Sequence, residues 1–231
     1  MKKHPKLYNQ IPQQTAIAGW TYYAFELLFL PSVLLALAAR LNVGDAVVNF
    51  VYYLLNFTVI LGIFKDFILE SLDYAGRHML AFLRAVLLGA LTYWAVSTLM
   101  RLLLARLVPD FANVNDQSIG QMLGQHPVLM GLGVVALVPL AEECLFRGLI
   151  FSQLHSRNRV LAYCLSVLAF CAVHVTGYVG VYPAATLALC ALQYIPAGLA
   201  LAWAYEHCGS ILAPILIHTA VNAVSVFHLL F

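Results

Sequence analysis

Long apolar runs separated by short polar patches give the first picture of the chain. Seven runs are long enough, at about 20 residues, to cross a bilayer as helices: Thr15–Ala39, Ala46–Phe64, Leu80–Leu104, Pro127–Leu154, Val160–Val179, Ala184–Tyr205 and Ile211–Phe231. The polar stretch from Arg106 to His126 carries Pro109, Asp110, Asn113, Asn115, Asp116 and Gln117, and reads as an outer loop. It divides the chain into a three-span N-terminal part (1–105), the loop (106–126) and a four-span C-terminal core (127–231). The expected fold class is all-α, a polytopic transmembrane helical bundle of about seven spans. No internal repeat and no low-complexity stretch interrupts it.

Composition agrees with this pattern. Of 231 residues, 63% are hydrophobic and 10% charged, against roughly 45–50% and about 25% for a soluble domain. A net charge of +2 without a Lys/Arg block gives no footing for nucleic acid. The five cysteines, Cys144, Cys164, Cys171, Cys190 and Cys208, lie in or beside apolar runs without CxxC spacing and read as reduced core residues. Met1 to Gln14 holds Lys2, Lys3 and Lys6 but no small-residue cleavage site, so the first run is expected to be retained as a span. Lys65, Arg77, Arg157 and Arg159 fall with those lysines on one side, and only Arg40, Arg101 and Arg106 on the other. The positive-inside rule then favours a cytoplasmic N-terminus and an outer C-terminus.

The candidate chemistry sits in the fourth run, where Ala141-Glu142-Glu143-Cys144-Leu145-Phe146-Arg147 places three charges among apolar residues. Each uncompensated charge there costs on the order of 2.5–3.5 kcal/mol, so a functional site is the default expectation. Glu143 and Arg147 stand at i and i+4 in the favoured order for an ion pair, and Glu142 falls on a neighbouring face, free for chemistry. Phe170 and His174 share a face of the next span, as do His218 and Asn222 in the last. Counted from the turn at Ser156–Arg159, Glu142 and His174 are level, about 23–25 Å deep at the α-helical rise. The same arithmetic from Ser210 leaves His218 nearer the inner surface, unless that turn is set deeper than the other or the helix tilts; the sequence leaves this open. Pro139 should orphan the carbonyl of Val135, one helical turn back. Glu26, in the first span, could be a second functional carboxylate or could pair with Arg84, and a structural or neutral role is the expectation.

A carboxylate and a histidine facing each other in a dry cavity can activate a water, and a second histidine with an asparagine can supply donors to an oxyanion. That is a hydrolase constellation. Glu142, His174 and His218 could equally be three ligands of a catalytic zinc. Spacing leaves both open. Neither an HExxH helix nor a GxSxG elbow is present.

Glu142-Glu143-xxx-Arg147, Phe170-xxx-His174 and His218-xxx-Asn222 together resemble the three-motif signature of the CPBP family of intramembrane proteases, which includes the type II CAAX prenyl endopeptidases and bacterial Abi proteins. Tyr205 to Pro214 is similar to the approach to the third motif, and the likeness spans about Val134 to Val224. The resemblance implies an endopeptidase of a prokaryotic inner membrane. Its substrate would be a protein or peptide with a membrane-anchored segment. Glu142 would activate water with His174, His218 and Asn222 would bind the oxyanion, Glu143 and Arg147 would hold the helix, and Phe170 would support the motif. No cofactor is expected, with zinc on Glu142, His174 and His218 as the alternative. Competing functions are a proton-coupled transporter, which also needs midplane charges but should show paired broken helices, and a non-catalytic immunity or scaffold protein on the same fold.

Overall fold

The computed structural model describes residues 11–231; Lys2, Lys3 and Lys6, part of the charge asymmetry above, lie outside them. Nine helices run through the described residues. In order they are α1 (Gln13–Leu28), α2 (Leu30–Leu41), α3 (Asp45–Arg77), α4 (Met79–Leu107), α5 (Val114–Gln125), α6 (Pro127–His155), α7 (Arg159–Thr176), α8 (Ala184–Cys208) and α9 (Leu212–Leu230). The protein is an all-α polytopic bundle. Six helices, α3, α4 and α6 to α9, are long and apolar enough to cross a membrane, and α1 with α2 would make a seventh.

Three boundaries depart from the sequence pattern. The expected span Thr15–Ala39 is broken into α1 and α2, which meet at Phe29 with a bend of 46°. Pro31, in the first turn of α2, has no N–H to bond back to Leu27, so a straight helix would lose a hydrogen bond there. The expected span Ala46–Phe64 continues to Arg77, and α3 is 33 residues long. Its added turns are held by burial of Phe67, Ser71 and Ala75 rather than by hydropathy. Finally, the expected outer loop contains α5, whose N-cap Asn113 accepts from the backbone N–H groups of Asn115 and Asp116. Only Val114, Ile119, Met122 and Leu123 are apolar in α5, and they pack into the core beside polar contacts; four such residues among polar neighbours are too few to read as a span.

Helix α6 is the centre of the bundle: 44% of its most apolar window is buried, against 17–33% in the other spans. Leu145 and Leu149 pack with Phe64, Phe67 and Tyr205 on one side, and Phe146 and Ile150 with Phe170, Leu201 and Ile217 on the other. Two segments of α6, Gly133–Leu137 and Cys144–Phe151, are π-wound, so backbone bonds there reach back five residues instead of four. Helix α4 closes on α8 and α9 through Gly89, where a Cβ would stand 2.7 Å from Ile217 Cδ1 and 3.1 Å from Ala204 Cβ. Gly89→Leu is therefore expected to destabilise the bundle by about 1–3 kcal/mol through overpacking. A lower thermal midpoint of the detergent-solubilised protein would show it, and an unchanged midpoint would contradict so close an approach.

At one end of the bundle Glu206 gathers three helices. It accepts from Arg159 Nε at 2.6 Å, Arg159 Nη2 at 2.8 Å and Tyr163 Oη at 2.6 Å, and lies 2.7 Å from His155 Nε2. The adjoining turn between α8 and α9 passes through Gly209, whose φ of +72° suits a residue without a Cβ. This turn is buried beneath the extension of α3: Ser210 Oγ donates to Ser71 O at 2.9 Å, and a Cβ on Gly209 would meet the Tyr74 ring.

Candidate active site

Helix α6 delivers Glu142, Glu143 and Arg147, α7 delivers Phe170 and His174, and α9 delivers His218 and Asn222. Glu143 and Arg147 are fully buried and paired through Oε1 and Nη1 at 3.0 Å. The guanidinium also donates from Nη2 to Gly198 O at 3.1 Å and lies over the Phe170 ring, 4.6 Å from its centroid. Phe170 is thus the π-face against which the buried cation rests. Its place in the motif, silent in the sequence, follows from that contact.

Glu143 Oε1 is shared. It also receives His218 Nδ1 at 2.9 Å, which makes Nδ1 the protonated nitrogen and turns Nε2 toward Glu142. Between His218 Nε2 and Glu142 Oε2 the distance is 4.0 Å, too long for a direct bond. Glu142 Oε2 has no hydrogen-bond partner among the described residues. A water can bond to both atoms across this gap at ordinary distances of about 2.8 Å.

The depth of His218, left open by counting residues, follows from the deeper of the two turns. It stands level with the glutamate pair because the α8–α9 turn is sunk under α3, whereas the Ser156–Arg159 turn is exposed. An equal depth for the two turns, assumed in counting residues, does not hold. His174 meets a different set of partners: Nδ1 donates to Phe170 O at 2.7 Å, and the ring stacks on Tyr194 with centroids 4.0 Å apart. Glu142, His174, His218 and Asn222 all line one cavity of about 1130 Å³, but Glu142 faces His218 rather than His174 across the shortest gap.

Asn222 Nδ2 donates to Val134 O at 2.9 Å. The sequence pointed to Val135 as the carbonyl orphaned by Pro139, and π-winding moves it. Val138 N–H reaches back to Gly133 O, so in this register residue 139 would serve Val134 O, and Pro139 has no N–H to give. Asn222 supplies the missing donor with one amide hydrogen and keeps a second. Ser166 plays a similar part in the second π segment, its hydroxyl donating to Phe146 O at 2.9 Å.

The cavity holds polar groups that spacing did not assign. Glu26 is buried and lines it, but its partner is Tyr52, whose hydroxyl donates to Oε1 at 2.7 Å; Arg84 is exposed. Glu26 Oε2 has no hydrogen-bond partner among the described residues. The start of α5 also reaches in: Asn113 Nδ2 donates to Gln193 Oε1 at 2.7 Å, Asn115 Nδ2 to Tyr194 Oη at 3.0 Å, and Tyr194 Oη to Asp116 Oδ1 at 2.8 Å. Burial raises the Asp116 pKa above its ordinary value, opposed by the Tyr194 hydrogen bond and by Arg101. As for zinc, no group of three or more His, Cys, Asp or Glu among the described residues is placed to hold a metal ion. The donor set Glu142, His174 and His218 does not converge as three ligands.

Residues 124–224 match the family model described as type II CAAX prenyl endopeptidase Rce1-like. The chain is also 30% identical over 111 residues to the UPF0177 protein YxdF of Lactococcus lactis subsp. lactis (strain IL1403). That alignment takes in 47% of this chain and 55% of the relative, so the chain spans little more than half the length of that protein. No solved structure matches. The two matches support the CPBP family, and the segment 124–224 contains all three motifs.

Proposed function

We propose, from the support that residues 124–224 give to the CPBP family, that the chain is an intramembrane endopeptidase hydrolysing a peptide bond of a membrane-associated protein or peptide. The observation that carries this reading is the 4.0 Å gap between Glu142 Oε2 and His218 Nε2, opening on a cavity large enough for a peptide segment. Two carboxylates, Arg147 and one further proton make the buried set neutral, and neutrality is what a low-dielectric site favours. That proton can reside on Glu142 or on His218. With it on His218, Glu142 is free to take a proton from the attacking water, while the imidazolium Nε2–H points to where the oxyanion forms. The remaining amide hydrogen of Asn222 offers a second donor. His174, its Nδ1 committed to Phe170 O, presents Nε2 as an acceptor that orients the water. After attack, the proton held by Glu142 passes to the departing amine.

The test is direct: mass spectrometry of membrane proteins from cells carrying the wild-type chain or Glu142→Ala. Cleaved fragments present only with the wild type are expected, and identical fragment sets would overturn the reading. No step is routed through a metal, so purified protein is expected to keep its activity after exhaustive chelation and to carry substoichiometric zinc. One zinc per chain, lost with activity and restored with it, would recast Glu142, His174 and His218 as ligands.

A further inference from the structure

Tyr194 belongs to none of the three motifs, yet it touches more of the site than spacing suggests. Its ring lies against the His174 imidazole with an interplanar angle of 30°. Phe170 lies against the same imidazole, centroids 4.7 Å apart, and its carbonyl accepts the hydrogen bond from Nδ1–H. One hydrogen bond fixes the tautomer of a histidine but leaves the ring free to swing about it; a stacked ring removes that freedom. Tyr194 is itself anchored at the far end. Its hydroxyl donates to Asp116 Oδ1 and accepts from Asn115 Nδ2, both on α5, while the neighbouring Gln193 accepts from Asn113 at the start of α5.

We propose that Tyr194 is the positioning residue of His174 and that α5, by holding the Tyr194 hydroxyl, fixes the imidazole from outside the motif helices. The inference rests on the reading of His174 as a participant in hydrolysis, but the placement of the ring is a separate matter with its own measurement. Tyr194 acts through His174 and does not touch the reacting atoms. Its ring supplies the plane and its hydroxyl supplies the anchor. The two are separable by substitution, since Tyr194→Phe keeps the plane and loses the anchor, and Tyr194→Leu loses both.

The experiment is NMR of imidazole-labelled full-length protein in detergent, with His174 picked out of the eight histidines by its loss in His174→Gln. Wild type is expected to show a single Nδ1–H tautomer with a sharp, ring-shifted signal. Tyr194→Phe should broaden that signal while keeping its position, Asp116→Ala should do the same, and Tyr194→Leu should cut the ring shift to the part that Phe170 supplies and broaden the signal further, with the Nδ1–H tautomer kept. Should Tyr194→Leu fail to fold, Tyr194→Phe and Asp116→Ala still decide. A wild-type signal in both would overturn the proposal. In turnover, Tyr194→Leu should lower kcat by about 10²-fold, the scale of a small misplacement of a reacting group, with KM changed less than about twofold. If His174→Gln keeps full activity, the catalytic reading of His174 fails, and the spectra still report whether Tyr194 and α5 set the ring.

Discussion

Glu142→Gln is expected to abolish proteolysis in a protein that still inserts and folds. The amide preserves the shape of the side chain in the cavity, but it cannot accept the proton of an attacking water. Removal of a general base costs on the order of 10²–10⁴ in rate. The loss should sit at the upper end here, because the other nearby carboxylate does not reach the cavity: Glu143 is fully buried, its Oε1 receives both Arg147 and His218, and it is absent from the cavity lining that includes Glu142. Rates are to be measured on purified protein with a fragment-yielding substrate found by the membrane comparison, and near-wild-type turnover of Glu142→Gln would remove Glu142 from the mechanism.

Arg147→Ala should act on folding before it acts on rate. The guanidinium binds Glu143 and the Gly198 carbonyl and rests on Phe170, all within a fully buried site. Truncation strands the Glu143 carboxylate with only His218 beside it and removes the side-chain donor to the Gly198 carbonyl. Breaking a buried pair by removing one partner costs roughly 3–5 kcal/mol, a large share of the stability of most domains. A sharp fall in monodisperse yield on size exclusion is expected. Arg147→Lys should recover little of it, because a single ammonium lacks the planar fork that serves an acid and a carbonyl at once. Full yield of Arg147→Ala would show that the pair does not clamp α6.

What could be read from the sequence was what hydrophobicity and the cost of charge control. Apolar length located the six helices long and apolar enough to cross a membrane, and three charges in an apolar run singled out α6, which carries Glu142, Glu143 and Arg147. The i, i+4 spacing of Glu143 and Arg147 predicted a pair that is present at 3.0 Å. What escaped was set by contacts between elements distant in the chain. The level of His218 depends on α3 running far enough to bury the turn at Ser210, and no local signal in α9 reports that. The helix α5 is held by polar contacts to Gln193 and Tyr194, about 80 residues away, and by burial of Val114 and Leu123 against other helices, so a window of sequence sees only a polar linker. The partner of Glu26 is likewise a tyrosine on another helix, not the arginine that charge alone suggested.

The π-wound stretches of α6 bear on a quantity that no residue identity expresses, the azimuth of the carboxylates about the helix axis. Each ring that closes five residues back takes in one residue more than an α turn, so the direction in which Glu142 points depends on how many residues lie between Pro127 and Glu142, not only on which they are. Removing a single residue from Gly133–Leu137 would let that segment rewind as α-helix with little net rotation beyond it, because the wide turn is what takes up the extra residue. The same deletion in the α-wound stretch Pro127–Leu132, with the winding elsewhere kept, would turn everything beyond it by about 100°. Every charge and every hydrogen-bonding group of the candidate site would survive in the chain, yet the Glu142 carboxylate would swing away from His218, so where a residue is lost matters as much as which one.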